Sequence, residues 1–115
     1  MPPDQAQVAE ARRLRAAIAQ TLDEAGFCLP GSVTRREMRC GRPDCRCHDD
    51  PPRLHGPYWS WTRKVRAKTV TKLLSEEQLE DYTAWIDASR KVHELLRALE
   101  ALSVGVVEAD PRKRS

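Results

Sequence analysis

Apolar residues recur at steps of three and four over the first part of the chain. Val8, Ala11, Leu14, Ile18, Leu22 and Ala25 form one stripe, and Arg12, Arg13 and Glu24 fall outside it. That period predicts an amphipathic helix over residues 4–25. Asp4 and Gln7 have the spacing of a capping box at its start, and Gly26 is placed to end it, with Phe27 as the apolar contact that follows. The same period returns after residue 75. Leu79, Tyr82, Trp85, Ile86, Val92, Leu95, Leu96, Leu99 and Leu102 predict a second helix over 76–103, with Gly105 to end it. Ser75 and Gln78 form a second capping box, and Leu74 and Leu79 have the spacing of a hydrophobic staple. Residues 108–115 are expected to form a disordered tail.

Between the helices the period changes from 3.6 to two. Trp59, Trp61 and Val65 alternate with Tyr58, Ser60, Thr62 and Lys64, and Lys68–Leu74 alternates likewise, so residues 58–74 predict a β-hairpin. Its turn at Arg66-Ala67 lacks the glycine or asparagine that tight hairpins prefer. Residues 32–39 have a thin apolar pattern that fits a short strand. Residues 48–57, with three prolines, one glycine and two aspartates, read as loop.

The chain has 115 residues, which fits one domain, and only 5% of them are aromatic, so its core must be mostly aliphatic. A core this modest benefits from a metal staple. The N-terminus lacks the apolar stretch of a secretory signal, and no run approaches a membrane span, so the expected compartment is the cytoplasm, with no membrane partner. A reducing compartment favours metal over disulfides for clustered cysteines.

Three cysteines fall within CGRPDCRC: Cys40, Cys45 and Cys47, a C-x4-C-x-C pattern. Thiolates bind Zn²⁺ strongly, and zinc asks for four ligands. The fourth is expected from His55, which stands immediately before Gly56-Pro57; Cys28 and then His48 are the alternatives. For Cys28 a small buried apolar role is favoured over ligation. Three cysteines and a histidine leave no open position on the ion, and neither H-E-x-x-H nor the H-x-E of zinc deaminases occurs, so a structural ion and no enzyme activity are expected. Arg39, Arg42 and Arg46 would then compensate the site's formal charge of −1 and donate to sulfur.

Charge changes the picture again. Between Arg35 and Lys72 eleven basic residues face four acidic ones, a net of +7 in a chain whose total is +3. An anionic partner for the centre is the natural inference, and a nucleic acid the leading one. The residues expected to meet it are Arg35, Arg36, Arg63, Lys64, Arg66, Lys68 and Lys72.

The run GSVTRREMRCGRPDCRC, then HGPYW, then RKVRAKTVTKLLSEEQLEDYTAWI resembles a bacterial family of small proteins of unknown function over about residues 31 to 100. Its members look like C-G-[KR]-x-x-C-x-C, then H-G-P-Y, then a basic hairpin and a helix. The resemblance places Cys40, Cys45, Cys47 and His55 at the recurring positions, and Cys28 and His48 outside them. The family is often met near transposase or recombinase genes, which implies a mobile-element role, DNA ahead of RNA, and a recombinase or transposase as a partner. Arg66-Ala67 departs from the family's asparagine-glycine turn.

The combined expectation is an α+β fold in which two long antiparallel amphipathic helices flank a small zinc-stapled β-hairpin module at residues 32–74. The leading function is a zinc-stabilised nucleic-acid-binding protein. The alternative is a dimerisation or adaptor module, since apolar residues from Leu95 to Val107 outrun the first helix and either meet Val8 and its neighbours or a second copy. A thiol redox switch ranks third, because the spacing is not that of C-x-x-C oxidoreductases.

Overall fold

The structure, a computed structural model, describes residues 3–113. In chain order come α1 (Gln5–Ala25), β1 (Ser32–Met38), a single 3₁₀ turn at Arg46–His48, β2 (His55–Val65), β3 (Lys68–Leu74) and α2 (Glu76–Ala109). Two compact units result. One is helical and joins the residues before 30 to those after 86; the other comprises residues 30–86.

In the helical unit, α1 starts as its sequence requires. The Asp4 N–H donates to Gln7 Oε1 at 2.9 Å, and the Gln7 N–H donates to Asp4 Oδ1 at 2.7 Å. Two orphan amides at the helix start are thereby satisfied. Gly26 closes the helix at φ +81°, its N–H bonded to the Leu22 carbonyl. Leu14 is the most deeply buried point of the stripe, and Thr21 is buried with its hydroxyl donating to the Ala17 carbonyl. Phe27 remains largely exposed.

The part of α2 in this unit continues past its expected end. Gly105 does not stop it, although a mid-helix glycine costs about 1 kcal/mol. The apolar step continues through Leu99, Leu102 and Val106, and the helix ends only at Ala109. Leu102, Val106 and Val107 line a groove of about 340 Å³ together with Val8 and Ala11, so the start of α1 and the end of α2 border the same apolar groove. The tail expected from 108 is thus still helical at its start, and Arg112 pairs with Asp110 beyond it. Residues 114 and 115 lie outside the described residues.

In the other unit the strands form one antiparallel sheet in the order β1-β2-β3. The expected hairpin is present as β2 and β3, joined in a register where Val65 faces Lys68 across a two-residue loop. Arg66 and Ala67 have φ of +50° and +67°. Positive φ at both loop positions is what the right-handed twist of a tight hairpin demands, and this chain meets the demand without glycine.

The architecture of two helices flanking a β-hairpin is therefore corrected. The fold is α+β, with an N-terminal helix, a three-stranded antiparallel sheet and a C-terminal helix. The third strand is β1, which pairs along β2 from Ser32 opposite Thr62 to Met38 opposite His55. A second correction concerns residues 55–57, expected as loop, which begin β2. Pro57 is tolerated there because the ladder is incomplete around it. Pairing with β3 starts only at Trp59, and on the β1 side the register shifts at a bulge between Arg36 and Met38.

Opposed residues of antiparallel strands share a face. One face carries Trp59, Trp61, Arg63, Val33 and Val70, and the start of α2 covers it. Tyr82 meets Trp61 edge-on at 6.4 Å and stacks on Trp85 at 5.3 Å. The Trp61 indole N–H donates to the Pro30 carbonyl at 2.8 Å. Gly31 makes that approach possible. Its φ is +100°, and a Cβ there would lie 2.7 Å from Trp61 Nε1 and still closer to the Thr62 carbonyl oxygen.

Candidate metal centre

The connection from β1 to β2 spans residues 39–54, a length at which chain entropy works against order unless something ties the ends. Here the ends are tied by side chains. Cys40 follows β1 by two residues, His55 opens β2, and Cys45 and Cys47 come from the loop, Cys47 within the 3₁₀ turn. The four ligand atoms lie within 4.8 Å of one another. A tetrahedral ion with metal–sulfur bonds of about 2.3 Å holds its sulfurs about 3.8 Å apart. The sulfurs of Cys40 and Cys47 are 3.6 Å apart, and Cys45 Sγ lies 3.1 Å from His55 Nε2. These four residues fit a metal ion.

Backbone geometry supports the cluster. The Cys45 N–H donates to the Arg42 carbonyl, and the His48 and Asp49 N–H groups close the 3₁₀ turn on Cys45 and Arg46. The Cys40 N–H points at Cys47 Sγ at 3.3 Å. Backbone amides, rather than the arginine side chains expected to donate, are directed at the sulfurs: Cys40 N–H at Cys47 and Cys47 N–H at Cys45. Cys47 is the most deeply buried side chain of the described residues, and burial pushes its thiol up. The Cys47 backbone N–H, aided by the His55 ring, holds the Cys45 thiol down at about 6. A cysteine that ionises so readily supplies thiolate, the form that binds metal.

His55 owes its position to the glycine after it. Gly56 has φ +117°, and a Cβ there would come within 2.8 Å of the Arg36 carbonyl oxygen and 2.9 Å of the Tyr58 nitrogen. Only glycine lets β2 approach the bulged end of β1 this closely while His55 turns into the cluster. The Gly56–Pro57 and Asp50–Pro51 bonds are both cis.

The alternatives for the fourth ligand fall elsewhere. His48 Nε2 lies 2.9 Å from the Cys40 carbonyl oxygen, which can only accept, so that nitrogen carries its proton and ties the loop to Cys40. Cys28 is exposed and outside the cluster, so the buried role favoured for it is corrected. His48 as a loop fastener was not legible in the sequence, where its adjacency to Cys47 offered only a rival ligand.

The seven cationic residues expected to meet nucleic acid are not gathered on one surface. Arg35, Arg63, Lys68 and Lys72 share the face of Trp61, Arg36 and Lys64 lie on the other, and Arg66 is in the turn. Several are engaged within the protein. The Arg63 guanidinium lies 4.4 Å from the Trp61 ring centre, Lys72 Nζ is 5.5 Å from that of Tyr82, and Arg35 pairs with Glu37 at 3.0 Å. Lys64 Nζ donates to Thr69 Oγ1 at 2.8 Å.

A small α+β protein with a four-residue cysteine–histidine cluster is thus defined. The chain belongs to the family described as a domain of unknown function, DUF6788, whose profile matches residues 6–84. The match takes in α1, which the motif resemblance left out, and stops near the start of α2. No curated protein and no solved structure matches the chain. Among the described residues no helix is long and apolar enough to cross a membrane.

Proposed function

We propose that this chain is a small nucleic-acid-binding protein whose sheet is held in place by a structural zinc ion. Three thiolates and one imidazole with their ligand atoms within 4.8 Å of one another suit zinc better than the harder divalent ions, and four protein ligands leave no position for substrate. The ion therefore folds the β1–β2 connection and takes no part in catalysis. The observation that carries the nucleic-acid reading is where the basic side chains without a carboxylate partner lie. Lys64, Arg66 and Lys68 cluster at the β2–β3 turn, roughly 33 Å along β2 from His55. At that distance they are not needed to offset the anionic cluster, and they are available to phosphates. DNA is placed ahead of RNA on the resemblance to a family met near transposase and recombinase genes, and such an enzyme is the protein partner to test first.

Fluorescence anisotropy with labelled duplex DNA, single-stranded DNA and RNA tests the reading, with affinity expected to fall linearly on log–log axes against salt. Absence of binding to all three at low salt sinks it. Metal analysis tests the site: His55→Ala loses zinc, and Cys28→Ala and His48→Ala keep it. A second reading, self-association through the helical unit, is favoured by the apolar groove between Val8 and Val107, the latter 72% exposed. Sedimentation at low concentration decides it, a persistent dimer being the supporting result.

A further inference from the structure

Only one face of the sheet is open. The face of Trp61 is used internally: its ring carries Arg63 on one side and meets Tyr82, and its N–H is committed to Pro30. A base cannot stack there. The opposite face carries, in register, Arg36 beside Tyr58, Thr34 beside Ser60 and Leu73, Thr62 beside Thr71, and Lys64 beside Thr69. Tyr58 is 39% exposed and Leu73 67%. Ser60, on the central strand, is the buried position of this face. No residue paired on this face is acidic.

We infer that this open face is a single-strand binding platform, on which Tyr58 stacks a base while Arg36 and Lys64 hold phosphates and threonine hydroxyls donate to the backbone. The inference rests on the nucleic-acid reading above and specifies its surface and its substrate class. Tyr58 and Lys64 are six residues apart on β2, about 20 Å. That span suits the roughly four nucleotides of the smallest single-strand sites. An aromatic exposed on an open sheet serves an unstacked base and has no use for a duplex, whose bases are already stacked. Tyr58 is also held for this role. A Cβ on Gly56 would lie 3.3 Å from its ring, so the ring rests against the backbone next to the ligand His55.

The test is anisotropy on the full zinc-loaded chain with labelled 12-mers of single-stranded DNA, single-stranded RNA and duplex DNA. Tyr58→Ala is expected to weaken single-strand binding about tenfold or more, and Tyr58→Phe to stay within about twofold, because the ring and not the hydroxyl stacks. Arg36→Gln and Lys64→Gln are each expected to flatten the log–log salt slope by about 0.7, one single-strand phosphate apiece. If the duplex binds better than either single strand, and Tyr58→Ala and both slopes are unchanged, the platform is overturned while nucleic-acid binding stands. If the unaltered chain binds none of the three, the parent reading falls with it. Should Tyr58→Ala perturb folding, the two exposed cation variants still decide through their slopes.

Discussion

The two units of this protein solve the same problem, holding a short chain in one conformation, by different means. The helical unit uses local devices. Its α1 begins in a capping box and ends at a glycine, and the unit buries Leu14 and Thr21 on α1 and Ala88 and Ser89 on α2. The sheet unit buries Ile86 and Ser60, and its most enclosed side chain is Cys47. Where an apolar core would stand, it has a cluster of ligands and a layer of rings. A unit built on capped helices loses stability in small steps; one built on a shared ion is expected to lose it at once.

The largest expected effect follows directly. Trp59, Trp61 and Trp85 all belong to the sheet unit, so tryptophan signals report it alone. Removing the metal with a strong chelator, or Cys47→Ser, is expected to abolish the near-ultraviolet circular dichroism and to leave most of the 222 nm helical signal. Equal loss of both would erase the distinction between the units.

Leu14→Ala should act in the reverse sense. With Leu14 only 2% exposed, truncation costs about 3 kcal/mol, read as a lower midpoint for the helical transition with metal content unchanged. A loss of metal in that variant would show the units to be one cooperative body. Gly56→Ala comes next, at about 2 kcal/mol, since it places a side chain at φ +117° against the Arg36 carbonyl. Its sharpest readout is weaker metal retention in a competition with a chromogenic chelator. The smallest effect is a gain. Ala67→Gly relieves a left-handed alanine and is expected to stabilise the sheet unit by about 1 kcal/mol, a rise of several degrees in the tryptophan melting curve. An unchanged or lower curve would mean that the turn contributes no strain.

What could be read from the sequence divides along the same line. Both capping boxes were legible, because a cap is a contact between residues three apart. So were the hairpin faces and the cluster of Cys40, Cys45, Cys47 and His55. β1 was faint because it is an edge strand, half-buried only at Ser32 and Val33, so its side chains have no reason to alternate in hydrophobicity. Its evidence is its pairing with β2, which no local window contains. By local rules Gly56-Pro57 signals a turn, whereas the structure places both residues in β2. Those rules could not see the bulge opposite, which frees a proline from the ladder. Gly105 misled because the helical apolar step runs on past it through Val106, and a single glycine costs a helix only about 1 kcal/mol.

The bulge at the end of β1 has one more consequence. A three-stranded sheet leaves two strands with bare outer edges, and bare edges recruit other chains. On β3 the edge is defended by Lys68 and Lys72, whose charges resist a second strand. On β1 it is interrupted, because the shifted register between Arg36 and Met38 breaks the repeat that a docking strand would have to match. The irregularity that brings Cys40 and His55 together thus also keeps copies of this protein from zipping into a continuous sheet.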